Sequence, residues 1–181
     1  MKSIALLRGI NVGGKNKLPM AELREIFAGV GCRDVVTYIQ SGNVVYSVYD
    51  ELAPRVAEAV SVAITARFGY EIPVVTRDAE ELAVVVDGSP YVRDDLTDEQ
   101  RKKALHVAFL ADEPPTDRIA ALDPRRSPGD EFTVRGRTIY LFCPNGLART
   151  KLTNAYFDSV LGTISTMRNW RTTLKLLELS R

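Results

Sequence analysis

Arg8, Lys15 and Lys17 fall within ten residues of one another, interleaved with Gly9, Gly13 and Gly14 and with no carboxylate among them. Cations supply a field that draws in phosphate or carboxylate, and glycines let backbone N–H groups approach a ligand closely. Asn11 adds a carboxamide to the same stretch. The chemistry this pattern suits is the holding of a small phosphorylated or carboxylated ligand. A second set of cations lies at the other end of the chain, where Arg149, Lys151, Arg168, Arg171, Lys175 and Arg181 face only Asp158 and Glu178. A guanidinium grips carboxylate or phosphate bidentately, so Arg168, with Asn169 beside it, is expected to close on the N-terminal loop around one anion. The plainer reading is two solvated faces of opposite sign, because residues 78–100 carry eight acidic groups against Arg93 alone.

The loop nearly spells a phosphate-binding P-loop, since Gly9 and Gly14-Lys15 fit G-x-x-x-x-G-K after an apolar run. Asn16 stands where Ser or Thr would hold Mg²⁺, and Pro19 delays the next helix by about four residues past the lysine. Leu82–Asp87 could be a strand ending in a magnesium-binding aspartate, or part of a helix. Nucleotide hydrolysis is therefore the least favoured of the functions this loop suggests. Catalytic sets are scarce. His106 is the only histidine and sits in the middle of a strand-like run, with no G-x-S-x-G elbow anywhere. One histidine and two distant cysteines, Cys32 and Cys143, exclude the common zinc sites; no metal is expected, and the cofactor, if there is one, is unknown from the residues. Asp94, Asp95, Asp98 and Glu99 lack calcium-loop spacing and read as a loop entering a helix.

Elements must position these residues. Ile4–Leu7 continues into a buried first strand, Lys2–Arg8, and a helix follows from about Pro19, the proline suiting a first helical position. Met20, Leu23, Ile26, Phe27 and Val30 recur at helical spacing. Val35–Gln40 and Val44–Val48 form a hairpin about Ser41-Gly42-Asn43, a second helix runs from Leu52 to near Gly69, and Ile72–Thr76 is an edge strand. The order βαββαβ is the split-βαβ, ferredoxin-like unit. The second half repeats it: a linking helix at Asp78–Asp87, strand Ala104–Leu110, a helix at Thr116–Leu122, strands Glu131–Val134 and Thr138–Phe142, helix Asn154–Leu161, and an extended piece at Thr163–Met167. A final helix covers Trp170–Leu179, with Asn169 a candidate cap and Trp170 a core anchor. The expected fold is thus α+β, two α–β plaits with mostly antiparallel sheets plus a C-terminal helix, divided as 1–78 and 79–181. With the first and third strands taken as parallel, Ser41–Asn43 falls at the opposite end of the sheet from Gly9–Lys17 and is excluded from the loop's site.

Hydrophobic residues are 45% of the chain and the net charge is +1. No strongly basic surplus supports general nucleic-acid binding, and no apolar run approaches the roughly 20 residues of a membrane span. Without a signal-peptide pattern and without paired cysteines, a cytoplasmic location is expected.

Leu-Leu-Arg-Gly-Ile-Asn-Val-Gly-Gly from Leu6, Pro-Met-Ala-Glu-Leu-Arg from Pro19, Thr-Tyr-Ile-Gln-Ser-Gly-Asn-Val-Val from Thr37 and Arg-Asn-Trp-Arg-Thr from Arg168 occur in that order. In this combination the chain resembles domain-of-unknown-function family 1697, over Leu6 to Leu179. The resemblance implies a bacterial cytoplasmic protein of two α–β plaits. It also implies shared polar positions at Arg8, Gly9, Asn11, Gly13, Gly14, Ser41, Gly42, Asn43, Arg168, Asn169 and Trp170. Arg171 departs from the asparagine expected after the tryptophan. The family carries no established activity. The leading expectation is a small-anion site formed by Arg8, Asn11, Gly13, Gly14, Lys15, Lys17, Arg168 and Asn169, its ligand a nucleotide or phosphometabolite. The alternative is a nucleic-acid or protein interaction module whose loops serve the fold.

Overall fold

A computed structural model describes residues 1–181 as a mixed α+β protein of eight strands and seven α-helices, the strands forming two four-stranded antiparallel sheets. Contacts divide the chain into two units, Met1–Ala83 with Leu176–Arg181, and Val84–Lys175.

The first unit runs β1 (Lys2–Leu7), α1 (Met20–Gly29), β2 (Arg33–Tyr38), β3 (Asn43–Ser47), α2 (Val56–Phe68) and β4 (Val74–Asp78). Its sheet order is β2-β3-β1-β4, so β4 is an edge strand as Pro73 suggests. Leu23, Ile26 and Phe27 on α1, and Val56, Val60 and Ile64 on α2, recur at three- and four-residue spacing and are buried. They pack with Ala5, Leu7, Val44 and Tyr46 of the sheet, where the Phe27 and Tyr46 rings lie 5.3 Å apart. Each large side chain so buried stabilises the fold by about 1.5–3 kcal/mol relative to exposure. α3 (Ala79–Asp87) follows at once, so Leu82–Asp87 is helical. Asp78 and Glu81 cap its start reciprocally, the Glu81 N–H donating to Asp78 at 2.7 Å and the Asp78 N–H to Glu81 at 3.0 Å.

The second unit has α4 (Asp98–Ala104), β5 (Leu105–Leu110), α5 (Thr116–Ala120), β6 (Glu131–Arg135), β7 (Thr138–Phe142), α6 (Asn154–Leu161) and β8 (Ser165–Asn169). α7 (Trp170–Leu179) ends the chain's regular structure. The acidic run Asp94–Glu99 leads into α4, which Thr97 and Gln100 cap as a box. Sheet order β6-β7-β5-β8 repeats that of the first unit. The same bonds recur too. The Leu7 N–H donates to the Gly42 carbonyl at 2.8 Å and the Arg8 N–H to the Pro73 carbonyl at 3.0 Å. In the second sheet the Leu110 N–H reaches the Arg137 carbonyl at 2.9 Å and the Ala111 N–H the Ile164 carbonyl at 2.8 Å. One feature is not repeated: residues 8–19 join β1 to α1, whereas residues 111–115 suffice to join β5 to α5.

Two expectations need correction. β1 and β3 are antiparallel, with Leu6 opposite Asn43, because a tight hairpin reverses β3 against β2. The turn entering β3 therefore lies at the same end of the sheet as the loop leaving β1. Pro19 is the residue flanking α1 in extended conformation rather than its first helical residue.

Candidate functional site

The loop after β1 folds on itself. The Asn11 N–H donates to the Asn16 carbonyl at 3.1 Å and the Lys15 N–H to the Val12 carbonyl at 3.0 Å, closing a miniature hairpin. Gly13 (φ 57°) and Gly14 (φ 78°) occupy its two central positions, and two successive left-handed residues are what a twist-matched two-residue turn requires. These glycines make a turn, where a P-loop would wrap its amides around a phosphate. Asn11 and Asn16, at φ 53° and 48°, also sit in the left-handed region that asparagine tolerates. The Asn16 carboxamide donates to the Gly9 carbonyl at 2.9 Å.

Asn11 joins three segments. Its Nδ2 donates to the carbonyls of Leu18 and Gln40, both at 3.0 Å, and its Oδ1 accepts the Leu18 N–H at 2.8 Å. The side chain thus ties the loop to its own exit and to the β2–β3 turn. That turn runs from Ile39 to Gly42, and Asn43, fully buried, donates to Tyr38 O at 3.2 Å and Ser41 Oγ at 2.8 Å. Ile39 is held at φ 49°, a conformation that costs a β-branched residue about 1–3 kcal/mol, yet its side chain is exposed. The surrounding hydrogen bonds maintain that strain.

Between loop and turn lies an open depression of about 500 Å³ whose lining includes Asn11, Gly14, Lys17, Leu18, Pro19 and Gln40. Lys15 and Lys17 are exposed and have no carboxylate partner, while Arg8 is half-buried at the loop's root. α1 begins beside the depression, and no side chain caps its first amides. Glu22, in that first turn, is paired with Arg67 of α2. The electrostatics of this corner are cationic.

Arg168 and Asn169 lie in the second unit, on β8. The Arg168 guanidinium folds back on its own strand, donating to Thr166 Oγ1 at 2.9 Å and the Met167 carbonyl at 2.8 Å, and burial pushes it down to about 10. Asn169 caps α7 by accepting the Thr172 N–H at 2.8 Å, and Trp170 is buried. Ser41, Gly42 and Asn43 join the loop corner that the strand-direction error denied them. Gln40 was missed altogether. It lies inside the Thr37–Val45 motif, next to the shared Ser41, but only the antiparallel pairing of β1 with β3 brings it to the loop.

No catalytic constellation accompanies the depression. His106 is buried on β5, its Nδ1 3.2 Å from the Ala104 carbonyl. Burial drives its basicity below the ordinary value of 6.5, against smaller opposing effects of that carbonyl and Asp130. The unfolded chain takes up this proton at a higher pH than the folded one. Stability should therefore fall as pH drops below 6.5. Urea midpoints between about pH 7 and pH 5 are expected to decline more steeply for the native chain than for His106→Gln. Equal slopes would remove His106 as the cause. Both cysteines are buried, and burial raises each thiol to about 11, far from a ready nucleophile. No group of histidine, cysteine, aspartate and glutamate is arranged to hold a metal ion. No helix is long and apolar enough to cross a membrane.

Comparison with known proteins bears on fold and family. A conserved bacterial protein, SP0830 from Streptococcus pneumoniae, superposes with a TM-score of 0.72 at 22% identity, covering 99% of this chain and 98% of that one. At that identity the likeness speaks for the fold alone. Among curated proteins no relative matches. Residues 1–140 match the model of the family described as "Protein of unknown function (DUF1697)", which takes in the loop, the turn and the depression between them. The chain belongs to the DUF1697 family.

Proposed function

We propose that the chain binds a small organic anion in the depression beside the loop of residues 8–17. The observation that carries this reading is the unequal connection in two sheets of the same strand order. Residues 111–115 bridge β5 to α5, so the longer glycine- and lysine-bearing connection of residues 8–19 exceeds what closing such a sheet demands. Surplus loop structure held in place by hydrogen bonds marks function more than fold. Lys17 supplies the charge at the depression, Arg8 and Lys15 add to the field, and the uncapped start of α1 contributes its dipole. Asn11 positions the loop and has its hydrogen-bonding groups occupied in doing so. We read each unit as a ferredoxin-like α–β plait, supported by the orders β2-β3-β1-β4 and β6-β7-β5-β8.

Calorimetric titration with ribose 5-phosphate tests the proposal. Binding should weaken about tenfold in Lys17→Ala, the loss of one charge-assisted hydrogen bond. It should weaken in the native chain as salt rises, because the cations are exposed. Affinity unchanged in Lys17→Ala, or absence of binding by ribose 5-phosphate and nucleoside 5′-monophosphates alike, excludes the depression as an anion site.

A further inference from the structure

We infer that the anion is a nucleoside monophosphate whose base is read by Gln40, an inference that rests on the anion-binding reading above. A bare phosphate needs far less room than a depression of about 500 Å³, which lies in the range of organic ligand sites. Charge occupies only one side of it. Lys17 is its sole charged lining residue, while Pro19 and the half-buried Met20 present apolar surface over the buried Leu18. A sugar phosphate would leave that surface wet. A planar ring covers it.

Gln40 decides what kind of ring. Its carboxamide offers one donor face and one acceptor and engages no protein group, while its own carbonyl is anchored by Asn11 at 3.0 Å. Hydrogen bonds from Asn11 and Asn43 to the turn backbone hold it in place, with Ile39 kept at φ 49° against its own preference. An exposed carboxamide on a fixed backbone can match the adjacent donor and acceptor on the edge of a nucleobase, as glutamine does with adenine. An aliphatic anion would leave that exposed carboxamide to water and gain nothing from it.

The test uses the intact chain and calorimetric titration with the ribonucleoside 5′-monophosphates AMP, GMP, CMP and UMP, beside ribose 5-phosphate. At least one nucleotide should bind about tenfold or more tightly than ribose 5-phosphate, through stacking and edge recognition. Gln40→Ala should remove about tenfold from that nucleotide and leave ribose 5-phosphate unchanged, whereas Lys17→Ala should weaken both. An unaltered urea midpoint for Gln40→Ala, an exposed residue, verifies that the fold is intact. Equal binding of nucleotides and ribose 5-phosphate, or indifference of the nucleotide to Gln40→Ala, overturns the nucleotide inference while the anion site stands. If no nucleotide and no ribose 5-phosphate binds, both fall. Tighter, steeply salt-dependent binding of a 5′-phosphorylated oligonucleotide overturns it in favour of a nucleic-acid ligand.

Discussion

Gly42→Ala is expected to destabilise the first unit by roughly 2–5 kcal/mol, the sum of backbone strain and overpacking. Gly42 sits at φ 77°, where alanine is strained, and a Cβ there would lie 2.7 Å from Leu7 Cβ and 2.9 Å from the Leu7 carbonyl oxygen. Neither neighbour is the free end of a flexible side chain. Relief must come from the backbone, and the backbone at this point is bonded: the Leu7 N–H donates to the Gly42 carbonyl at 2.8 Å. Moving the turn away from β1 would therefore also pull Gln40 from Asn11. Gly69→Ala separates the two costs. That glycine has a similar φ of 74° but no atom within 4 Å of a would-be Cβ, so only the backbone strain of about 1–2 kcal/mol should be lost. Urea denaturation of both variants provides the comparison. Equal losses would mean that the close approach to Leu7 contributes nothing.

Asn11→Ala should cost roughly 2.5–6.5 kcal/mol and abolish ligand binding together. Three hydrogen bonds disappear, from Asn11 to Leu18 O and Gln40 O and from the Leu18 N–H to Asn11. Each is worth about 0.5–1.5 kcal/mol net, and alanine adds the strain of φ 53°. Asn11→Gly removes the same bonds without that strain and should recover about 1 kcal/mol of the loss. Asn11→Asp keeps the acceptor for Leu18, loses both donations and brings to the corner a carboxylate that repels an anionic ligand. It should bind ribose 5-phosphate more weakly than Asn11→Gly, although it keeps the bond from the Leu18 N–H. Denaturation and calorimetry on the three variants measure the two roles separately. An Asn11→Ala protein with native stability and native binding would falsify the clamp.

Much of the fold was legible in local patterns. β7, α6 and α7 occupy the residues that alternation, helical spacing and capping predict, and the two-unit alternation of strands and helices follows from the order of apolar runs. These signals are local: a side chain's period shows whether neighbours share a face. β2 lies two residues earlier than expected because Ile39 and Gln40 belong to the turn. No propensity places an isoleucine in the left-handed region, so only the bonds from Asn11 and Asn43 to the surrounding backbone account for it.

The loop's cations and glycines were visible from the start, and so was its departure from a P-loop at Asn16 and Pro19. The identity of its neighbours was not. Strand direction settles that. β2 and β3 form a tight hairpin, β3 then pairs antiparallel with β1, and Ile39–Gly42 returns to the corner where the loop departs. By itself the sequence determined the types and order of the elements and the cationic, glycine-rich character of one loop, since these depend on residues close in the chain. The tertiary structure alone decided that Gln40 and Lys17 line one depression and that Asn11 ties the turn to the loop there. The Asn11–Gln40 bond joins residues 29 apart in sequence, and a local period carries no information about which strand ends meet.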